Sequence, residues 1–152
     1  MLYRLLFIFT CVSNAFAGGP DLNILKIETD SSNVVYQVEE AVSDKQKMLG
    51  LMFRKHMPEN QGMVFYNENP RPMSMWMKNT YISLDMLFAD KDGNIVCIFE
   101  NTEPFSTEIL TCDKPVVLTL ELNAGQVKEH DIKEGDKMYH HLLLSTKTGE
   151  NK

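Results

Sequence analysis

Apolar and polar positions alternate along most of this chain, and alternation is the mark of half-buried strands. It is cleanest over residues 116–123. There Val116, Leu118, Leu120 and Leu122 face one way, and Val117, Thr119, Glu121 and Asn123 face the other. Residues 25–29 and 34–42 also read as strands, parted by a turn at 30–33. Residues 62–66 form the next, which Asn69-Pro70-Arg71-Pro72 should break because proline cannot donate to a ladder. Residues 84–89 and 95–100 flank an Asp92-Gly93 hairpin signal. A last strand is expected over 137–145, after a turn at 132–136. Two short helices interrupt the strands. Ser43-Asp44-Lys45-Gln46 has capping-box spacing, which predicts a helix from Asp44 to about Leu49 with Gly50 as its stop. The second is expected over 124–130. The pattern as a whole predicts a mostly β, α+β fold: a small β-barrel or barrel-like sandwich with two accessory helices.

The first 17 residues break that pattern. Arg4, an apolar run over 5–12 and Ala15-Phe16-Ala17 have the layout of a secretory signal peptide, cleaved after Ala17. The alternative is an uncleaved anchor, although the apolar run is shorter than the roughly 20 residues that span a bilayer. The expected organisation is therefore a leader over 1–17, a flexible start and first strand over 18–33, one domain over 34–145 and a frayed tail over 146–152. Such a protein is exported to the periplasm or secreted, and monomeric. The chain holds 21 acidic against 15 basic residues, with no basic stripe and no second membrane-length apolar run. Nucleic-acid binding and membrane spanning of the mature chain are excluded as expectations.

Export would leave two cysteines, Cys97 and Cys112, and an even pair in an oxidising compartment reads first as a disulfide. Cys97 also alternates with Ile95 and Phe99, so a plain buried thiol is the other reading.

Candidate chemistry concentrates in residues 73–88, MSMWMKNTYISLDMLF, which hold the sole tryptophan and a polar knot from Lys78 to Asp85. Asn79 and Thr80 can pin a turn by bonding local backbone, or can line a polar mouth with Arg54, Asp85, Glu121 and Asn123. Glu121 and Asn123 share a strand face. A glutamate among leucines reads either as a buried carboxylate paired with Arg54 or Lys78 or as a ligand-binding group. Asp85 and Glu121 could also divide acid and base roles. Trp76 suits a sugar-stacking or peptide-contacting surface, or a partly buried core position. Met73, Met75 and Met77 alternate, so on a strand three soft thioethers would share a face and suit Cu(I); a methionine-filled core explains them equally. His130, His140 and His141 point to no zinc site, because adjacent histidines on a strand face apart.

Several blocks together carry a resemblance. Gly50-Leu51-Met52-Phe53-Arg54, Gly62-Met63-Val64-Phe65, Met75 through Thr80 with Leu84-Asp85, Leu120 through Gly125, and Gly135-Asp136 resemble the successive motifs of the domain of unknown function 192 family. The likeness covers residues 34–140. It implies a compact, mostly β domain, usually exported or lipid-anchored in bacteria and archaea, and it implies no activity. Ser83 departs from the proline usual at that position. The closing block also resembles the crossover unit of double-psi-type barrels.

The sequence therefore points to a small exported β-domain that binds a ligand or partner in the cell envelope, without a cofactor. The site would comprise Arg54, Trp76, Asn79, Thr80, Asp85, Glu121 and Asn123. The occupant would be a small molecule, a glycan or an envelope protein. The alternatives are an envelope hydrolase using Asp85 and Glu121, and a Cu(I)-binding protein using Met73, Met75 and Met77.

Overall fold

A computed structural model describes residues 23–145. The expected signal peptide, the residues just after it and the expected frayed tail lie outside that range. The elements are β1 (Asn23–Glu28), β2 (Asn33–Ala41), α1 (Asp44–Leu49), β3 (Gln61–Met75), β4 (Leu84–Ala89), β5 (Ile95–Phe99), β6 (Leu110–Asn123), α2 (Gln126–Glu129), β7 (Lys137–Tyr139) and α3 (His141–Ser145). The seven strands make one sheet in the order β5-β4-β6-β3-β2-β1-β7. Every pairing is antiparallel except β2 with β3. That parallel pair needs a crossover, and α1 with the loop after it supplies one.

The sheet curls into a half-barrel whose two ends touch. Asn94 bridges Lys137, the Met138 amide donates to the Gly93 carbonyl at 2.8 Å, and the Ile95 amide donates to Asp136 at 2.9 Å. Gly93 makes this closure possible. Its φ of +85° is left-handed, and a Cβ there would lie 2.3 Å from the Met138 carbonyl oxygen.

Strand alternation splits the apolar residues into two cores. Leu25, Ile27, Tyr36, Val38, Leu118, Leu120 and Leu122 fill one side of the sheet. Met63, Phe65, Met77, Leu84, Met86, Phe88 and Val116 fill the other. The capping box on α1 forms with both of its hydrogen bonds, and Gly50 follows the helix at φ +47°. Cys97 on β5 and Cys112 on β6 are joined in a disulfide, with Cα atoms 6.0 Å apart.

Three elements depart from the sequence expectation. β3 does not stop at Asn69-Pro70-Arg71-Pro72; it runs through to Met75, with irregular register against β6 on both sides of Arg71. The irregularity accommodates prolines within a paired strand, and both prolines are exposed. β6 starts early, at Leu110. β7 has three residues rather than nine, because the chain turns into α3 at His141, so the short helices among the described residues number three rather than two.

Candidate functional site: a cavity floored by Glu121

Glu121 lies on β6, a central strand, directly between Met63 of β3 and Met86 of β4 in register. It is 4% exposed. No described residue donates to its carboxyl group, and burial pushes its pKa up to about 8. At neutral pH it is therefore mostly the uncharged acid, which can donate a hydrogen bond.

What the carboxyl group meets is a cavity of about 110 Å³. Its walls are the end of α1 and the turn after it (Lys47 to Met52), Phe65 on β3, the end of β3 up to Trp76, and Thr80. A longer groove of about 460 Å³ shares Lys47, Met48, Phe65, Ser74, Met75 and Trp76 with this cavity and continues to Asn67, Arg71 and Met73. Trp76 stands at the junction, 44% exposed, with the Lys78 ammonium 5.1 Å from its ring centroid. Gly50 lets the α1 turn close over Phe65: a Cβ there would come within 3.2 Å of the ring.

Of the residues singled out from sequence, the cavity brings together Trp76, Thr80 and Glu121. The Thr80 hydroxyl also donates to the Lys78 carbonyl at 3.3 Å. The others lie elsewhere, each with a local partner. Asn79 adopts a left-handed φ of +56°; its carbonyl accepts the Phe53 amide at 2.8 Å and its side chain turns to Met52. Both terminal nitrogens of Arg54 engage the Glu39 carboxylate, one at 2.6 Å. Asn123 donates to the carbonyls of Met57 and Pro58 at 3.0 and 3.2 Å, which ties down the loop before β3. Asp85 is fully buried and accepts the amides of Asn101 at 2.8 Å and Val127 at 2.9 Å. It pairs with Leu122 in register and so points away from Glu121, into the other core. The geometry offers no place where Asp85 and Glu121 touch one substrate.

The three methionines do not converge either. Met73 Sδ accepts from Asn67 at 3.0 Å, Met77 Sδ accepts from Thr102 at 3.2 Å in the core, and Met75 lines the cavity. β3 ends before Met77, so the alternation that would align three thioethers is lost.

Sequence alone did not reveal the α1 side of the cavity, Lys47, Met48, Leu51 and Met52, or Phe65 on β3. One signal was present. Met48 and Leu49 end a capped helix without being buried, at 75% and 51% exposure, and apolar side chains left at a helix end mark a rim.

The chain belongs to the domain of unknown function 192 family, described as an uncharacterized ACR, whose profile matches residues 25–140. Solved structures share the fold, two of them as follows. One is a protein from Sinorhizobium meliloti 1021, carrying the provisional name of transcription regulator. It is 39% identical, with a TM-score of 0.79, covering 84% of this chain and 99% of that one. The other is a protein of unknown function from Novosphingobium aromaticivorans DSM 12444. It is 27% identical, with a TM-score of 0.77, covering 88% of this chain and 100% of that one. No curated protein matches the sequence.

Proposed function

We propose that this protein is an exported binding module whose ligand sets a small end group in the Glu121 cavity and lies along the groove past Trp76 toward Arg71. One observation carries the reading: a buried carboxyl group that no described residue satisfies, placed at a cavity. A carboxyl group held away from bulk water, with only a small cavity before it, gains from whatever fills that cavity with a hydrogen-bond partner. The cavity wall mixes polar and apolar groups, and the groove beyond it is largely apolar, with Met48, Phe65, Met73, Met75 and Trp76. The chemistry fits an apolar body with one polar tip, either an oxygen that accepts the Glu121 proton or an amine that removes it. A small molecule, a sugar or a loop of an envelope protein could present such a tip. The disulfide supports an oxidising compartment. No described helix is long and apolar enough to cross a membrane.

Trp76 is the sole tryptophan, so its emission reports on this site alone. Titration with n-butylamine and with N-methylacetamide should give a saturable change for at least one probe. Glu121→Leu should weaken that response at least about tenfold, the equivalent of about 1.4 kcal/mol. Two outcomes overturn the reading: no saturation with either probe, or the same midpoint in Glu121→Leu.

A further inference from the structure

Glu40, at the end of β2, meets His140 and His141, which follow β7. Their ligand atoms all lie within 4.8 Å of one another. Sequence alternation would have sent the two histidines apart, but β7 ends at Tyr139 and α3 begins at His141. The chain bends between them, and their rings stand 4.5 Å apart. His141 Nε2 is hydrogen-bonded to Glu40 Oε1, and His140 Nε2 lies 3.4 Å from the same oxygen.

His140 is the unusual member. Its side chain is fully buried, and its Nε2 has no hydrogen-bond partner among the described residues although it faces the Glu40 carboxylate. A structural histidine in a core ordinarily has both ring nitrogens satisfied.

We infer that Glu40, His140 and His141 form a binding site for a divalent transition-metal ion of the zinc kind. Two imidazoles and a carboxylate are a zinc donor set, with ligand distances of about 2.0–2.2 Å. Tetrahedral ligands at such distances stand roughly 3.4 Å apart, the separation already present between His140 Nε2 and Glu40 Oε1. Metal binding needs one movement, the outward shift of the exposed His141 ring from its contact with Glu40. It also moves the ring proton of His140 to Nδ1. That gives up a contact from the Leu142 amide at 3.4 Å, beyond the usual N–H···O range of a protein hydrogen bond. Both histidines line a groove of about 480 Å³, so the shift of the exposed His141 ring is what would open the buried His140 Nε2 and Glu40 to an ion from that side. This site is separate from the Glu121 cavity and shares no residue with it.

The test uses the full chain without a polyhistidine tag, stripped with chelator and titrated with Zn²⁺ against a competing chromophoric chelator. One equivalent should bind. His141→Ala and Glu40→Gln should each weaken binding at least about a hundredfold, which is the upper end of the loss caused by removing an outer-shell partner. His141 is exposed, so its replacement leaves the fold intact, while Glu121→Gln should bind zinc as the parent does. Co²⁺ added to the apoprotein should give the visible bands of a four-coordinate nitrogen–oxygen site. Absence of stoichiometric zinc binding overturns the assignment, as does an affinity unchanged in both His141→Ala and Glu40→Gln.

Discussion

Asp85 and Glu121 lie on adjacent strands of one sheet yet face opposite cores, because Asp85 pairs with Leu122 and Glu121 with Met86. Two buried carboxyl groups thus have different tasks. Asp85 holds two backbone amides, and Glu121 holds none among the described residues.

Replacing Asp85 by alanine would leave the part-buried amide of Asn101 and the buried amide of Val127 without their acceptor. Each unsatisfied group costs about 1–3 kcal/mol, so Asp85→Ala should lose about 2–5 kcal/mol in urea unfolding. Asp85→Asn retains an acceptor and should lose less. Equal losses in the two variants would show that the amide bonds are not what Asp85 contributes.

Glu121 predicts a pH effect of opposite sign to the usual carboxylate. Its carboxyl group titrates at about 8 in the fold and near its ordinary 4.5 in the unfolded chain. Between those values the unfolded state releases the proton and the folded state keeps it, so this group makes stability fall as pH rises. Glu121→Gln should therefore gain on the parent across that window, by a few kcal/mol in order of magnitude at pH 8 and above. Urea midpoints at pH 5, 7 and 9 measure it; parallel curves for parent and variant would contradict a buried, unpaired acid.

The Cys97–Cys112 bridge closes a loop of 15 residues in sequence. Its reduction should cost about 3 kcal/mol, chiefly by releasing the unfolded chain. In a chain starting at Gly18, a thiol reagent should find no free thiol after denaturation without reductant; two thiols would refute the bridge.

Gly93→Ala should lose more than about 2 kcal/mol, because a Cβ cannot fit 2.3 Å from the Met138 carbonyl and the left-handed φ is strained for alanine. Thermal unfolding would show it, and an unchanged midpoint would mean that the sheet ends need not touch.

Local chemistry explains what was legible in the sequence. Ser43 and Gln46 declare the start of α1, Asp92-Gly93 declares the β4–β5 turn, and the alternation from Leu118 to Asn123 places Glu121 and Asn123 on one face, although Val116 joins the core opposite to Leu118. Long-range register stayed hidden. Nothing near Asp85 says that it pairs with Leu122 rather than Glu121, and one step of register reverses a side chain's face. Pro70 and Pro72 read as a break, yet the bulged pairing with β6 carries β3 past them. His140 and His141 read as strand residues because the apolar residues 142–144 fit a strand and a short helix equally well.

The pairing of β1 with β7 has a kinetic corollary. Lys26 meets Tyr139, and almost the whole described chain lies between them. Until the residues of β7 are available, the outer edge of β1 has no strand to pair with and Gly93 has no carbonyl to approach. Contacts so distant in sequence form slowly. A growing chain would thus keep this edge open until its last elements arrive.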